Sequence, residues 1–164
     1  MLPKPRLIPG QHIHIIGIGG TGLSAIARVL LLRGFQVSGS DLYTNAKTDK
    51  LQDLGATIYR GHDPAHVMGA EIIMRSSAIK DDHVEVLSAN AQHIPVYKRF
   101  DIMAAIMAGS IPIAIAGTHG KTTTSSMTTH VLIETGQSPS YIVGGVLANT
   151  GHNADVGDGD AFVI

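Results

Sequence analysis

The fold of this chain is decided by residues 111–124, IPIAIAGTHGKTTT, in which an apolar run stops at a glycine and a Gly-x-x-Gly-Lys-Thr-Thr loop follows. This pattern predicts a strand, a tight loop and the start of a helix. Glycines let backbone N–H groups close around phosphate oxygens, and a helix N-terminus adds positive potential. Because Lys121 supplies a charge and Thr122 a hydroxyl for Mg²⁺, the stretch predicts a P-loop-type site for a nucleoside triphosphate.

This loop is a shortened variant of the general phosphate-loop pattern, which has a glycine five residues before Gly120, where this chain has Ile115. The alternative is an ordinary glycine-containing turn with a solvated lysine. An apolar strand before the loop and an uninterrupted helical stretch after it favour phosphate binding.

A second glycine motif, GIGGTG at residues 17–22, follows the β-rich run HIHII at residues 12–16. Apolar residues then recur at helical spacing, and Asp41 ends the next strand about twenty residues after the motif, as in Rossmann-type folds. The alternative is that these glycines only form a packing turn and that Asp41 is a turn residue. The flanking strand and helix and the position of Asp41 favour a dinucleotide-like ligand.

Strands and short helices alternate through the first two thirds of the chain. This alternation predicts an α/β protein with a Rossmann-like, doubly wound parallel sheet, followed by the start of a P-loop ATP-binding α/β domain. We place the domain boundary at the small-residue joint 108–110, which gives a Rossmann-like domain over 1–109 and the beginning of a second domain over 110–164. Predicted helices cover 44–54, 81–91, 100–108 and the stretch up to about Thr135, and predicted strands cover 35–39, 56–59, 70–74, 94–97, 111–116, 140–143 and 160–164.

Composition excludes several classes of function. The net charge is −1 and the twelve basic residues are scattered, so no basic stripe is available for nucleic acid. The chain has no cysteine, which excludes disulfides and thiolate zinc sites and is compatible with the reducing cytoplasm. The first ten residues contain three prolines and no long apolar core, so we interpret them as a lead-in segment without a membrane role.

The nine histidines do not predict a zinc site from their spacing. His12 and His14 share one face of a strand, and His62 and His66 are four residues apart. Neither pair has an evident carboxylate partner, and Pro64 interrupts the second, whereas zinc sites need three or four protein ligands.

Four motifs in order make the chain resemble the Mur ligase family: GIGGTG at 17–22, GSD at 39–41, SSAI at 76–79 and AGTHGKTTT at 116–124. In that family the shortened loop is the ATP site. The resemblance covers all 164 residues, which correspond to the first domain and the opening of the central domain. A phosphate-loop enzyme usually needs a further carboxylate on a neighbouring strand, so we expect this sequence to be a piece of a longer protein and inactive by itself.

The resemblance implies the site residues. For the UDP part of UDP-N-acetylmuramate they are Gly17, Gly19, Gly20, Thr21, Gly22, Ser40, Asp41, Ser76 and Ser77. For ATP they are Gly117, Thr118, His119, Gly120, Lys121, Thr122 and Thr123, with Lys121 and Thr122 in catalytic roles and Thr122 on Mg²⁺. The implied reaction is phosphorylation of the muramyl carboxylate by ATP, followed by attack of the L-alanine amine; the L-alanine site lies outside this chain.

Three alternatives stay open at this point. The first is a related ligase that attaches a recycled tripeptide to the same sugar nucleotide and shares the AGTHGKTTT loop. Leu23 and Asp101 depart from the usual family residues, which weakens the choice among members of the family. The GIGG turn and the SSAI loop favour the alanine-adding member. The other two alternatives are an NAD-dependent oxidoreductase, which leaves the second loop unexplained, and a non-catalytic nucleotide-binding module.

Overall fold

A computed structural model describes residues 5–164 and divides the chain into two compact units, with the division between Ile106 and Met107. Residues 1–4, which begin the predicted lead-in segment and first domain, lie outside the described residues. The domain boundary at 109/110 stays a prediction, three residues from this division. No helix in the described part of the chain is long and apolar enough to cross a bilayer.

The first unit contains a five-stranded parallel sheet in the order β3-β2-β1-β4-β5. This is the strand order of a Rossmann-like half, with the topological switch between β1 and β4. The strands are β1 (His12–Ile16), β2 (Gln36–Asp41), β3 (Thr57–Arg60), β4 (Ile72–Arg75) and β5 (Val96–Lys98). The predicted doubly wound parallel sheet is therefore confirmed.

Helices cover both faces of this sheet. They are α1 (Thr21–Leu32), α2 (Ala46–Asp53), a 3-10 helix (Pro64–Val67), α3 (Val84–Ala91) and α4 (Arg99–Ile106). Helix α1 contacts α2 and α4, whereas the 3-10 helix contacts α3. On the α3 side, Ile16 and Ile73 of the sheet pack with Val67 and Val86, so this face of the sheet is closed by apolar side chains.

Local sequence explains the ends of these elements. Asn45 caps α2 through a capping box with Thr48, so the helix starts two residues later than the predicted start at 44. Asp63 is the N-cap of the 3-10 helix, and its side chain accepts a hydrogen bond from the Ala65 N–H. Gly39, in the middle of β2, leaves room for Ile18, because a Cβ atom there would lie 2.5 Å from the Ile18 Cδ1 atom.

The second unit contains a four-stranded sheet in the order β6-β9-β7-β8. Its strands are β6 (Ile111–Ile113), β7 (Ser140–Ile142), β8 (Ala154–Asp155) and β9 (Ala161–Val163), and its helix is α5 (Lys121–Glu134). β6, β9 and β7 are parallel, while β8 runs antiparallel to β7. β8 is absent from the predicted strands, because two residues are too few to show a hydrophobic period.

Candidate nucleotide-binding sites

The first glycine turn is held by the end of β2. The N–H groups of Gly17 and Ile18 both donate to the Ser40 carbonyl oxygen, at 2.8 and 3.1 Å, and the Gly20 N–H donates to the Gly17 oxygen at 3.1 Å. Gly17 has a φ of +85°, which favours glycine. The turn between β1 and α1 is therefore fixed by main-chain hydrogen bonds.

Asp41 lies beside this turn at the carboxyl end of β2, where the motif spacing predicted an acidic residue. Its Oδ2 atom accepts the Gly19 N–H at 2.9 Å, and the Asn45 amide donates to the Gly19 oxygen at 3.3 Å. A Cβ atom at Gly19 would lie 2.8 Å from Asn45 Nδ2 and 2.9 Å from Asp41 Oδ2. A glycine is therefore needed at position 19 to let both side chains approach the turn.

The N-terminus of α1 is suited to an anion. Gly20 is the N-cap residue and offers no side-chain cap, and the first turn of α1 contains no acidic residue. The Arg99 guanidinium lies so close to Gly22 that a Cβ atom there would collide with its Nη1 atom. The partial positive charge of the helix end and the full charge of Arg99 are thus on the same turn.

Ser76 and Ser77 follow β4, across the topological switch from the glycine turn. The Ser76 N–H donates to the Ile16 oxygen at 3.4 Å, and the Ser76 Cβ atom would be 3.7 Å from a Cβ atom built on Gly17. Ser76 is half-buried and Ser77 is exposed. The structure therefore places the SSAI loop next to the turn at residues 17–20, where ligands of open α/β sheets bind.

Arg75, at the end of β4, is bonded within the protein. Its guanidinium donates to the Ile79 oxygen at 2.8 Å and forms an ion pair with Asp81.

Ser40 differs from the other predicted residues of the first site because its side chain is fully buried. Its hydroxyl donates to Glu85 Oε2 at 2.7 Å and lies 3.0 Å from His62 Nδ1. That Ser40 helps to hold the UDP part of the sugar nucleotide stays a prediction. In the structure Ser40 supports the turn, with its carbonyl oxygen bonded to Gly17 and Ile18 and its hydroxyl in a buried polar cluster.

The second loop, residues 117–120, is open to solvent throughout. Gly117 and Gly120 have φ angles of +153° and +76°, and Gly120 is the N-cap of α5 without a side-chain cap. The Lys121 ammonium group folds back over the loop and donates to the carbonyl oxygens of Gly117 and, at 3.2 Å, Thr118. The uncapped N-terminus of α5 and the positive charge of Lys121 therefore lie at the same exposed loop.

Thr122 lies against the chain that follows β7. A Cβ atom at Gly144 would be 2.6 Å from the Thr122 hydroxyl oxygen, and one at Gly145 would be 3.2 Å from its methyl carbon. Thr123, Thr118 and the predicted loop residue His119 are exposed. The glycine pair at 144–145 therefore makes room for the side chain that was predicted to hold Mg²⁺.

The sequence analysis missed a buried cluster around Glu85 in the first unit, which we call the Glu85 cluster: His14, Ser40, His62, His66, His83 and Glu85. Glu85 and His14 are fully buried. The nearest imidazole nitrogens are His66 Nδ1, 2.9 Å from Oε1, and His62 Nδ1, 3.2 Å from Oε2. The missing carboxylate partner of the histidines thus comes from α3, and the available signal was a glutamate between the apolar residues Val84 and Val86.

The Glu85 carboxylate is held in its ionised form. Burial by itself would raise the pKa of Glu85, but His14, Ser40 and His66 facing it outweigh that effect and lower the pKa to about 2. Burial lowers the pKa of His14 and, together with the neighbouring His62, the pKa of His83. The folded cluster therefore favours neutral His14 and His83 around one carboxylate.

Comparison with known proteins agrees with this architecture. Residues 12–110 match the model of the Mur ligase family, catalytic domain. The chain is 50% identical over 153 residues to the UDP-N-acetylmuramate–L-alanine ligase of Burkholderia multivorans, covering 93% of this chain and 33% of that protein. The chain thus spans about a third of the length of the curated relatives it matches.

Solved structures give the same result. The UDP-N-acetylmuramate-alanine ligase of Thermotoga maritima superposes with a TM-score of 0.84 at 29% identity, covering 92% of this chain and 36% of that one. The UDP-N-acetylmuramate:L-alanyl-gamma-D-glutamyl-meso-diaminopimelate ligase of Neisseria meningitides superposes with a TM-score of 0.87 at 31% identity, covering 94% and 52%. The match of the family model over more than half of the chain establishes that this chain belongs to the Mur ligase family.

Proposed function

We propose that the first unit binds the UDP part of UDP-N-acetylmuramate. The support is the glycine turn at the uncapped N-terminus of α1, with Arg99 beside Gly22 and the SSAI loop across the switch point. Backbone N–H groups and a guanidinium are the donors that a diphosphate needs. The contact residues are then Gly17, Gly19, Gly20, Thr21, Gly22, Asp41, Ser76 and Ser77, and Arg99 joins them.

The second unit, on this proposal, binds ATP and Mg²⁺ through residues 117–123. The glycines and the free N–H groups at the start of α5 surround the phosphates, and Lys121 moves from the loop carbonyls to the transferring end. Thr122 offers its hydroxyl to Mg²⁺. Mg²⁺ would supply charge neutralisation on the phosphates when bound, and Lys121 adds a second positive charge there.

The proposed activity of the whole protein is formation of an amide between UDP-N-acetylmuramate and L-alanine. ATP phosphorylates the muramyl carboxylate, releasing ADP, and the L-alanine amine then displaces phosphate from the acyl phosphate. The amino-acid site belongs to parts of the protein beyond these 164 residues. We assign the reaction to peptidoglycan synthesis in the cytoplasm.

One observation carries this proposal. Two βα units of the chain, β1–α1 and β6–α5, each end a strand in a glycine loop and begin a helix whose N-cap residue has no side-chain cap. Two such phosphate sites in one chain fit a sugar nucleotide plus ATP, whereas a dehydrogenase needs only the first.

A second candidate is the ligase that adds a tripeptide to the same sugar nucleotide. It is favoured by the superposition on the Neisseria enzyme, whose TM-score of 0.87 is slightly above the 0.84 of the Thermotoga alanine ligase. The sequence identity of about a half to alanine ligases supports L-alanine as the substrate that we propose.

The proposal is tested by calorimetric titration of this chain with UDP-N-acetylmuramate, with NAD, and with ATP and Mg²⁺. We expect binding of the sugar nucleotide and not of NAD, with weaker sugar-nucleotide binding in Gly19→Ala only and weaker ATP binding in Lys121→Ala only. Binding of NAD without binding of UDP-N-acetylmuramate would replace the ligase by an oxidoreductase.

A further inference from the structure

We propose that Glu85, His62 and His83 form a binding site for one divalent transition-metal ion of the zinc class, inside the first unit and apart from the nucleotide loops. Each residue offers one ligand atom, and these atoms all lie within 4.8 Å of one another. Two imidazoles and a carboxylate are a common zinc ligand set, which leaves a fourth position for water.

The hydrogen bonds of His12 and His14 show why this cluster favours a cation. His12 Nδ1 lies 3.0 Å from the Gly69 carbonyl oxygen, which can only accept, so this nitrogen carries the proton of the neutral ring. His12 Nε2, 2.8 Å from the Ser38 hydroxyl, is then the acceptor, and Ser38 must donate to it. Ser38 is left to accept from His14 Nδ1, also at 2.8 Å.

His14 Nε2 therefore carries a bare lone pair in the neutral ring. This atom is completely buried, has no hydrogen-bond partner and lies 3.9 Å from Glu85 Oε1. A lone pair that faces a carboxylate in a dry interior is unfavourable without positive charge near the pair. The Oε1 atom of Glu85 therefore faces a nitrogen lone pair that no proton donor or cation satisfies.

His83 presents a second unprotonated nitrogen, on the Oε2 side. Its Nδ1 atom accepts the Glu85 N–H at 3.3 Å as the N-cap of α3, so it carries no proton. The same atom lies 4.0 Å from Glu85 Oε2. Unprotonated nitrogens of two histidines thus lie on either side of the Glu85 carboxylate.

The dimensions fit a metal ion after small side-chain rotations. Ligand bonds of about 2.1 Å in tetrahedral geometry place the ligand atoms about 3.4 Å apart. His62 Nδ1 and Glu85 Oε2 are already 3.2 Å apart, and the His62 and His83 rings meet edge to face at 4.5 Å. Both rings are partly exposed, at 15% and 17%, so they are free to turn and the ion has a path from solvent.

The site joins the segment after β3 to the start of α3, and Ser40 connects it to the glycine turn. The Ser40 hydroxyl is bonded to Glu85 while the Ser40 carbonyl holds Gly17 and Ile18. A bound ion would therefore link these two segments and stabilise the residues that support the glycine turn.

The test is titration of chelator-stripped chain with Zn²⁺ against a chromophoric competitor, together with the visible spectrum of the Co²⁺ form. The variants are His62→Ala and His83→Ala, with His130→Ala as the control, since His130 is an exposed histidine four residues from Glu134 on α5. We expect the wild-type chain to bind one Zn²⁺ ion tightly. The Zn²⁺ affinity should fall at least about tenfold in His62→Ala and in His83→Ala, and it should not change in the control.

Because His83 also caps α3, far-UV circular dichroism and thermal unfolding of each metal-free variant accompany the titration. His62→Ala removes a ligand without removing the cap. The proposal is overturned if the folded wild-type chain binds no Zn²⁺ tightly. It is also overturned if folded His62→Ala and His83→Ala bind Zn²⁺ with the affinity of the wild type. The result is independent of UDP-sugar and ATP binding.

Discussion

The two glycine loops follow the same plan of strand, loop and uncapped helix, yet the structure holds them differently. The turn at residues 17–20 is fastened by the Ser40 carbonyl and the Asp41 carboxylate, and Gly19 is buried. The loop at residues 117–120 is exposed, and the Lys121 ammonium is the side-chain group that covers it. A fastened turn is preorganised for its ligand, whereas an open loop orders around its ligand at an entropic cost.

The largest effect is expected from a change that breaks the support of the first turn. Gly39→Ala places a Cβ atom 2.7 Å from the Ile15 oxygen and 2.5 Å from Ile18 Cδ1, both in buried surroundings. Overpacking of this kind costs about 1–3 kcal/mol of unfolding free energy. Urea unfolding measures the loss. Gly20→Ala, where φ is −67° and the new Cβ atom would lie 3.3 Å from the Gly17 oxygen, is the comparison variant and is expected to lose less stability.

Lys121→Ala removes the charge that covers the second loop. We expect ATP affinity to fall roughly 10- to 100-fold, since hydrogen bonds to charged groups contribute about 1.5–3 kcal/mol. Calorimetry with ATP and Mg²⁺ measures the change, while affinity for UDP-N-acetylmuramate should stay at the wild-type value. Equal losses for both ligands would show that the two loops do not act separately.

Gly19→Ala tests whether the first turn is preorganised. The new methyl group must displace Asn45 and Asp41, so we expect affinity for UDP-N-acetylmuramate to fall about tenfold, equivalent to about 1.4 kcal/mol. ATP affinity is the internal control. If the sugar nucleotide still binds the variant normally, the close approach of Asp41 to Gly19 is not needed for binding.

A smaller effect is expected where the second loop meets the glycine pair after β7. Gly144→Ala crowds the Thr122 hydroxyl, and Thr122→Ala should relieve that crowding, so the double variant is expected to be more stable than the sum of the two changes predicts. Thermal unfolding of the four proteins of this cycle measures the coupling. Simple additivity would show that the two residues are not in contact.

Acid should loosen the first unit, because the Glu85 cluster lies wholly within it. The pKa of His14 is lowered from 6.5 in the folded chain, so on acidification His14 is protonated at a higher pH in the unfolded chain than in the folded one. The stability of the first unit therefore falls as the pH drops below 6.5. The pKa of Glu85 is lowered from 4.5 to about 2, so its contribution is present above pH 4.5 and is lost as the pH falls toward 2.

Residue-resolved hydrogen exchange, corrected for its intrinsic pH dependence and performed with chelator, would follow this effect. We expect β1 and β2 to lose protection below pH 6.5. Unchanged protection of these strands between pH 7 and pH 4 would contradict the assigned protonation states of the cluster.

Much of the fold was predictable because its signals are local. Apolar runs ending in glycine defined β1 and α1, and the spacing to Asp41 fixed the end of β2. The structure confirms these elements and the parallel sheet. β8 was missed because a strand of two residues forms through pairing with β7 and not through its own pattern.

The Glu85 cluster could not be predicted by spacing along the chain. His14, His62 and Glu85 come from β1, from the segment after β3 and from α3, and only the tertiary fold brings them together. The same cause explains Ser40: alternation along β2 does not reveal that its hydroxyl faces a buried glutamate.

The central claim is that the two loops bind two different phosphate ligands. Hydrogen exchange of the chain with UDP-N-acetylmuramate alone, and then with ATP and Mg²⁺ alone, tests it most directly. The account predicts that the sugar nucleotide slows exchange at residues 17–23 and 76–78, and that ATP slows exchange at 117–124. Protection of the same loop by both ligands, or of neither loop by either, would contradict it.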